Sequence, residues 1–281
     1  MKTRNLFRRW KRRYLRLLHK QWMVLHQSRR EGKPKQVHEL RVTLRRLRLM
    51  VRLGAPLLDE TAVDDYRRWS RVISTATSRL RDCDVTLEWL KDRNGAEEIV
   101  ELLRVRRDRL WRIQSSRLTP PTSKVRSRLS RIKAGRKAGA QLRRRFLKRF
   151  ARLHRQVFEG IPRFFELSLE DRHAFRRTLR RLRYLRELAL SRKKQAADGF
   201  LKNLIRLQVA MGEYRNLVVA EQIITHLKRS ETARRLGEAL QKQRVAWEEQ
   251  IDRGLKALSD LHQREEIDNR SPGLPICVHL R

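Results

Sequence analysis

Acidic residues are missing from positions 1 to 30 and again from 109 to 158. Over the whole chain 31 Asp and Glu face 70 Lys and Arg, a formal net charge of +39. Solubility alone does not call for such an excess, so a partner bearing many negative charges is expected. Cysteine is nearly absent too. Cys83 and Cys277 have no metal-ligand or redox spacing and cannot build a disulfide framework, which points to a reducing compartment. No stretch approaches the roughly 18 uncharged apolar residues of a membrane span, and the basic N-terminus lacks the apolar run of a secretory signal. A soluble, cytoplasmic protein without membrane insertion is expected. There is no HExxH, GxxxxGK or GxSxG string, and Asp, Glu and His form no compact constellation. Accordingly no catalytic residue, metal ligand or cofactor is assigned, and the chain is read as a non-enzyme.

The residues that are present favour helix almost throughout: Leu, Arg, Glu and Ala dominate, and apolar positions recur at three and four. The pattern predicts a helix over about 3–30, ended by Gly32-Lys33-Pro34, and a second from Gln36 to Gly54-Ala55-Pro56. A third, capped by Asp59, is expected to reach about Leu80, and a fourth to run from Asp82 to about Arg117 with a pause at Asn94-Gly95. Ser115, Ser116, Pro120, Pro121, Thr122 and Ser123 then interrupt the chain. Beyond them helices are expected from about Arg136, Asp171, Ala196 and Arg215, the last reaching about Leu261, before an irregular tail at Ser271-Pro272-Gly273-Leu274-Pro275. The domain reading is a first four-helix bundle over 1–118, a linker over 119–135, a second bundle over 136–265 and a tail over 266–281.

An internal repeat supports that division. A shift of 135 positions lays Val37-His38-Glu39-Leu40-Arg41 on Arg172-His173-Ala174-Phe175-Arg176, and Leu44-Arg45-Arg46-Leu47-Arg48 on Leu179-Arg180-Arg181-Leu182-Arg183. The same shift lays Lys2, Arg9, Arg13 and Lys20 on Lys137, Arg144, Lys148 and Arg155, and His19 on His154. An all-α fold follows, two antiparallel four-helix bundles related by an internal pseudo-two-fold repeat.

On the second helix His38, Arg41, Arg45, Arg48 and Arg52 fall within about 80° of one another. Leu40, Leu44, Leu47 and Val51 form an apolar stripe on roughly the opposite side, and Val42, Leu49 and Leu53 form another. His173, Arg176, Arg180 and Arg183 repeat the basic edge, with Glu187 standing where Arg52 predicts another Arg. On the first helix Lys2, Arg9, Arg13, Arg16 and Lys20 cluster opposite Phe7, Tyr14, Leu18 and Leu25, and Lys137, Arg144, Lys148 and Arg155 copy them, Ala151 replacing Arg16. A single Lys/Arg stripe is ordinarily a solvated helix face, but such a face mixes signs to gain i,i+4 pairs. These stripes forgo that gain, which is easier to understand if an anion relieves the repulsion. Arg suits phosphate because its planar fork donates two parallel charge-assisted bonds, while Lys supplies less directional charge. For His38 and His173 two readings stand side by side, an imidazole bonded to backbone near the helix start and a phosphate contact.

At these residues the chain resembles the conserved-histidine α-helical domain family, the CHAD domains. The resemblance rests on VHELRVTLRRLRLMVRL at 37–53, RLRDCDV at 79–85, RHAFRRTLRRLRYLREL at 172–188 and GEYRNLVV at 212–219. It implies two antiparallel four-helix bundles with a basic central groove, and an association with inorganic polyphosphate and polyphosphate granules. The binding positions it implies are His38, Arg41, Arg45, Arg46 and Arg48 with His173, Arg176, Arg180, Arg181 and Arg183. The first-helix residues Arg9, Arg13, Arg16, Lys20, Arg144, Lys148 and Arg155 are added from the charge pattern. Arg81-Asp82 are expected to tie helix ends together, and the second half has Asn216 and Val218 where the first has Asp82 and Asp84. Family members are often joined to a triphosphate-cleaving domain with an ExExK signature, which this chain lacks, so it reads as the binding module alone.

The alternative partner is nucleic acid, whose phosphate backbone would release counter-ions at the same stripes. Against it, the Trp, Phe and Tyr residues sit mostly at core-like positions and offer few bases a stacking surface. Nothing in the pattern sets an oligomeric state.

Overall fold

Low helical cost and repeated caps turn this sequence into eleven α-helices, with no strand, among the described residues. The computed structural model describes residues 3–227 and 231–270. Lys2, the tail from Ser271 to Pro275 and Cys277 lie outside them. The helices are α1 (Thr3–Glu31), α2 (Pro34–Gly54), α3 (Glu60–Ala76), α4 (Ser78–Leu90), α5 (Glu97–Ser115), α6 (Ser123–Ser130), α7 (Ala138–Gly160), α8 (Leu169–Ala189), α9 (Arg192–Ala197), α10 (Gly199–Leu227) and α11 (Glu231–Arg270). Under the 135-residue shift both ends of α2 fall on those of α8, and the start of α1 falls on that of α7.

Local chemistry explains the boundaries. Gly32 turns the chain at φ +61, and a Cβ there would strike the ring of Trp111. Pro34 then opens α2, with the Gln36 side chain accepting the Lys33 amide at 3.1 Å. Asp59 caps α3 by accepting the Ala62 amide at 2.8 Å.

Four expectations need correction. The third helix stops at Ala76 rather than near Leu80, because Thr77 turns its hydroxyl onto Ile73 O at 2.8 Å and α4 restarts at Ser78. The expected fourth helix starts earlier, at Ser78, and its expected pause at Asn94-Gly95 is a full break, Asp92 at φ 64 and Gly95 at φ 76 separating α4 from α5. No helix begins at Arg215. α10 runs through it to Leu227, started by Asp198, which accepts the Leu201 amide at 2.6 Å. Finally, the linker is partly helical. α6 forms there, capped by Thr122, and the Tyr14 hydroxyl donates to Leu129 O at 2.7 Å.

The helices gather into two compact units. One holds residues 11–135, 216–227 and 231–244; the other holds 3–10, 136–215 and 245–270. In the first, both apolar stripes of α2 are buried, Val42 alone being half-buried. Leu40 and Leu44 pack with Val24, Leu25, Ile73, Ala76 and Leu118 beneath Trp22, Trp69 and Trp111. The buried Asp84 holds Arg107 at 2.8 Å, and Arg107 donates also to Gly32 O, so α4 and α5 brace the turn before α2. In the second unit Leu179, Leu182 and Leu185 of α8 are fully buried, and Arg186 pairs with Asp198 at 2.8 Å. Among the described residues no helix is long and apolar enough to cross a membrane.

Candidate functional site

Because the α2 backbone is fixed by apolar contacts on two faces, its remaining edge presents His38, Arg41, Arg45 and Arg48 one turn after another. Arg41 reaches across to α3, donating from Nη1 to Ser74 O at 2.9 Å and to the Thr77 hydroxyl at 3.0 Å. It thereby satisfies a carbonyl of the last turn of α3, where a cation also meets the negative end of the helix dipole. Arg48 repeats the device further along, its Nε on the Ser70 hydroxyl at 2.9 Å and its Nη2 on Ser70 O. The edge is thus anchored as well as charged. Burial, and then Arg45, push the Arg41 guanidinium down to about 10, with Asp82 opposing them. Arg41 still carries its charge at neutral pH.

Arg81 of α4 joins this cluster. Withdrawal from water lowers His38 first, then Arg81, Arg45 and Arg41, against a weaker upward pull from Glu39. Arg81 therefore does more than tie helix ends, and it lies in the first turn of α4, its amide bonded to Thr77 O at 3.2 Å. Asp82 acts on Arg41.

The second unit carries a counterpart. On α8 His173, Arg176 and Arg180 follow one another, joined by Arg177 of the same helix and Arg215 of α10. Burial and then Arg177, Arg215, Arg176 and Arg180 depress His173 to about 4. Its Nδ1 is buried with no hydrogen-bond partner, so a backbone bond at that nitrogen does not fix the ring. Arg176 occupies the position of Arg41, and the counterpart of Thr77 is Gly212. A Cβ on Gly212 would lie 3.2 Å from Arg176 Nη2, so the guanidinium approaches α10 where that helix has no side chain. The last member differs. Arg183 Nε lies 3.3 Å from Glu187 Oε1, both side chains being only 14 and 11 % exposed, and the guanidinium sits 5.1 Å from the Tyr184 ring centroid.

The remaining candidates are less concentrated. Arg46 and Arg181 are half-buried, turned about 100° from the preceding arginine by helical geometry. Arg9 and Arg13 are half-buried, and burial, then Arg8, lowers Arg9. Arg16, Lys20, Arg144, Lys148 and Arg155 are exposed. Lys20 bridges to Glu39 at 2.6 Å, and Arg155 lies 3.8 Å from Glu159. Such exposed pairs are weak, so they leave these cations open to exchange for a stronger anion.

Arg81, Arg177 and Arg215 stand beside the two histidines, although pattern reasoning gave Arg81 only a helix-end role and singled out neither of the others. A signal existed, since Arg81 and Arg215 hold like places in RLRDCDV and GEYRNLVV. They are related by 134 rather than 135 positions, the one-residue slip falling where Thr77 breaks the first unit and α10 runs on unbroken.

Comparison with known proteins gives the family and the fold. The model of the CHAD domain family matches residues 13–225. The crystal structure of the CHAD domain from the plant Ricinus communis is similar in fold, with a TM-score of 0.64 at 21 % identity over 90 % of this chain and 92 % of that one. Among curated proteins none matches.

Proposed function

This chain belongs to the CHAD domain family, and from that premise we propose that it binds inorganic polyphosphate through the His38 and His173 clusters without turning the polymer over. Polyphosphate binding is a known role of the domain. The observation that carries the reading to these residues is the matched pair of clusters, each built from one histidine and successive arginines on one helix plus an arginine from a neighbouring helix. Polyphosphate offers one negative charge per internal phosphoryl group at short, regular intervals, and planar guanidinium forks one turn apart suit a row of such acceptors. Each unit supplies one cluster, and the exposed cations Arg16 and Lys20 of one and Arg144, Lys148 and Arg155 of the other add screening. We read the coincident bounds of α2 and α8 as two related helical bundles. Affinity for the polymer would also draw the protein to polyphosphate granules.

Arg41 and Arg48 are poor test positions because they anchor α3. The test is therefore made at Arg45 and Arg180. R45A/R180A is expected to weaken polyphosphate binding at least tenfold with its helical circular dichroism retained, and orthophosphate is expected to bind poorly to either protein. Single- or double-stranded nucleic acid of equal charge concentration is expected not to displace the polymer. Displacement by nucleic acid, or unchanged affinity in R45A/R180A, contradicts the proposal, as would release of phosphate on adding Mg²⁺.

A further inference from the structure

We propose that polyphosphate binding at these clusters is coupled to proton uptake by His38 and His173, so that affinity rises as pH falls through the neutral range. The inference rests on the reading of the clusters as the polyphosphate site and goes beyond it in assigning the histidines a linkage role.

The charged surroundings of each ring are one-sided. His38 lies among Arg41 and Arg45 of α2 and Arg81 of α4, the only opposing influence resolved on it being Glu39, itself bridged by Lys20 of α1 at 2.6 Å. Beside Arg41, Ser74 O of α3 and the adjoining Thr77 hydroxyl are uncharged, Arg71 of α3 adds a further cation beside Arg48, and an acid, Asp82 of α4, acts on Arg41. His173 lies among Arg176, Arg177 and Arg180 of α8 and Arg215 of α10. The adjacent Arg172 is bonded to the Tyr214 hydroxyl of α10 at 3.3 Å and to Glu248 of α11 at 3.4 Å, and that carboxylate is not among the groups acting on His173. Nδ1 of His173 has no protein acceptor to hold a proton. Both rings are accordingly lowered in the free protein, His173 to about 4 by burial first and the arginines next, and His38, although that residue is exposed, in the same direction and for the same causes.

Binding reverses the charge around them. Whatever the absolute value for either ring, laying phosphoryl groups along the arginines cancels the repulsion that opposes an imidazolium and adds anions that favour one. The direction of the change is fixed upward. A protonated imidazole presents two N–H donors where the neutral ring presents one, so each proton taken up also adds a donor among phosphate oxygens. Arginine and lysine keep their charge across pH 6 to 8 and internal phosphoryl groups keep theirs. Within the two clusters, the histidines are thus the groups whose charge can change across that range.

The test is isothermal titration of long-chain polyphosphate into the full chain at pH 7, in two buffers of different ionisation heat, which yields the number of protons absorbed. About one to two protons per complex are expected, with affinity changing up to roughly tenfold per pH unit for each proton absorbed. H38Q and H173Q, which alter separate units, are each expected to remove part of that uptake and H38Q/H173Q nearly all of it. Binding without buffer-dependent heat in the wild-type protein overturns the coupling while leaving the polyphosphate reading intact. So does undiminished uptake in H38Q/H173Q. Absence of any binding overturns both.

Discussion

At the scale of single residues, arginines of the proposed site also hold the fold together. Arg41 donates to Ser74 O and the Thr77 hydroxyl from a half-buried position. R41A should therefore lower unfolding free energy by about 1–3 kcal/mol, the usual penalty for stranding buried acceptors, as read from urea denaturation. Alanine at the exposed Arg16 should change stability by less than about 0.5 kcal/mol. His154 offers a separate test. Burial, then His262 and Arg186, hold it at about 4, and its ring lies 4.9 Å from that of His262 and 4.4 Å from that of Phe158. Its folded value lies below the unfolded one, about 6.5. The unfolded chain thus binds the extra proton more readily between these values, and stability present above pH 6.5 is lost as pH falls toward 4. H154F should flatten that acid limb of a thermal-melt series, whereas an unchanged limb would mean that His154 does not cause it.

At the scale of elements, the sequence pattern located the helices that bear the site better than the helices that support it. α2 at both ends, and α8 at its start, were legible to within two residues because apolar stripes and a repeated basic edge coincide there, with Pro34 marking the first. The break at Thr77 was not, since no glycine or proline marks it; a hydroxyl bent back on Ile73 and an arginine arriving from α2 make it instead. α6 was missed for a similar reason, being eight residues of mostly polar chain whose one fully buried side chain is Leu129. Glu187, by contrast, stood out in the sequence as an acid in a basic row, and the structure bonds it to Arg183. E187Q should release that guanidinium and raise polyphosphate affinity severalfold in a direct titration, at some expense in stability from the lost pair.

At the scale of the whole molecule, the governing quantity is the charge of +39. Such an excess repels itself in any compact state, and a bound polyanion removes that repulsion while also stabilising the folded form by mass action. Calorimetric unfolding should therefore shift upward when polyphosphate is added, by more in dilute salt than at high ionic strength. An equal concentration of phosphate as orthophosphate should leave the transition nearly where it was. The arrangement of arginines in rows predicts something further that net charge alone does not. A polymer that spans more cations releases more counter-ions, so length and ionic strength should act together on affinity.

That joint dependence is the most direct test. Binding of polyphosphates graded in length, measured at two salt concentrations, should show affinity growing with length up to the span of the cation rows, and a salt sensitivity that steepens in step. Affinity independent of length, with the same salt response for short and long polymers, would contradict an extended polyphosphate site.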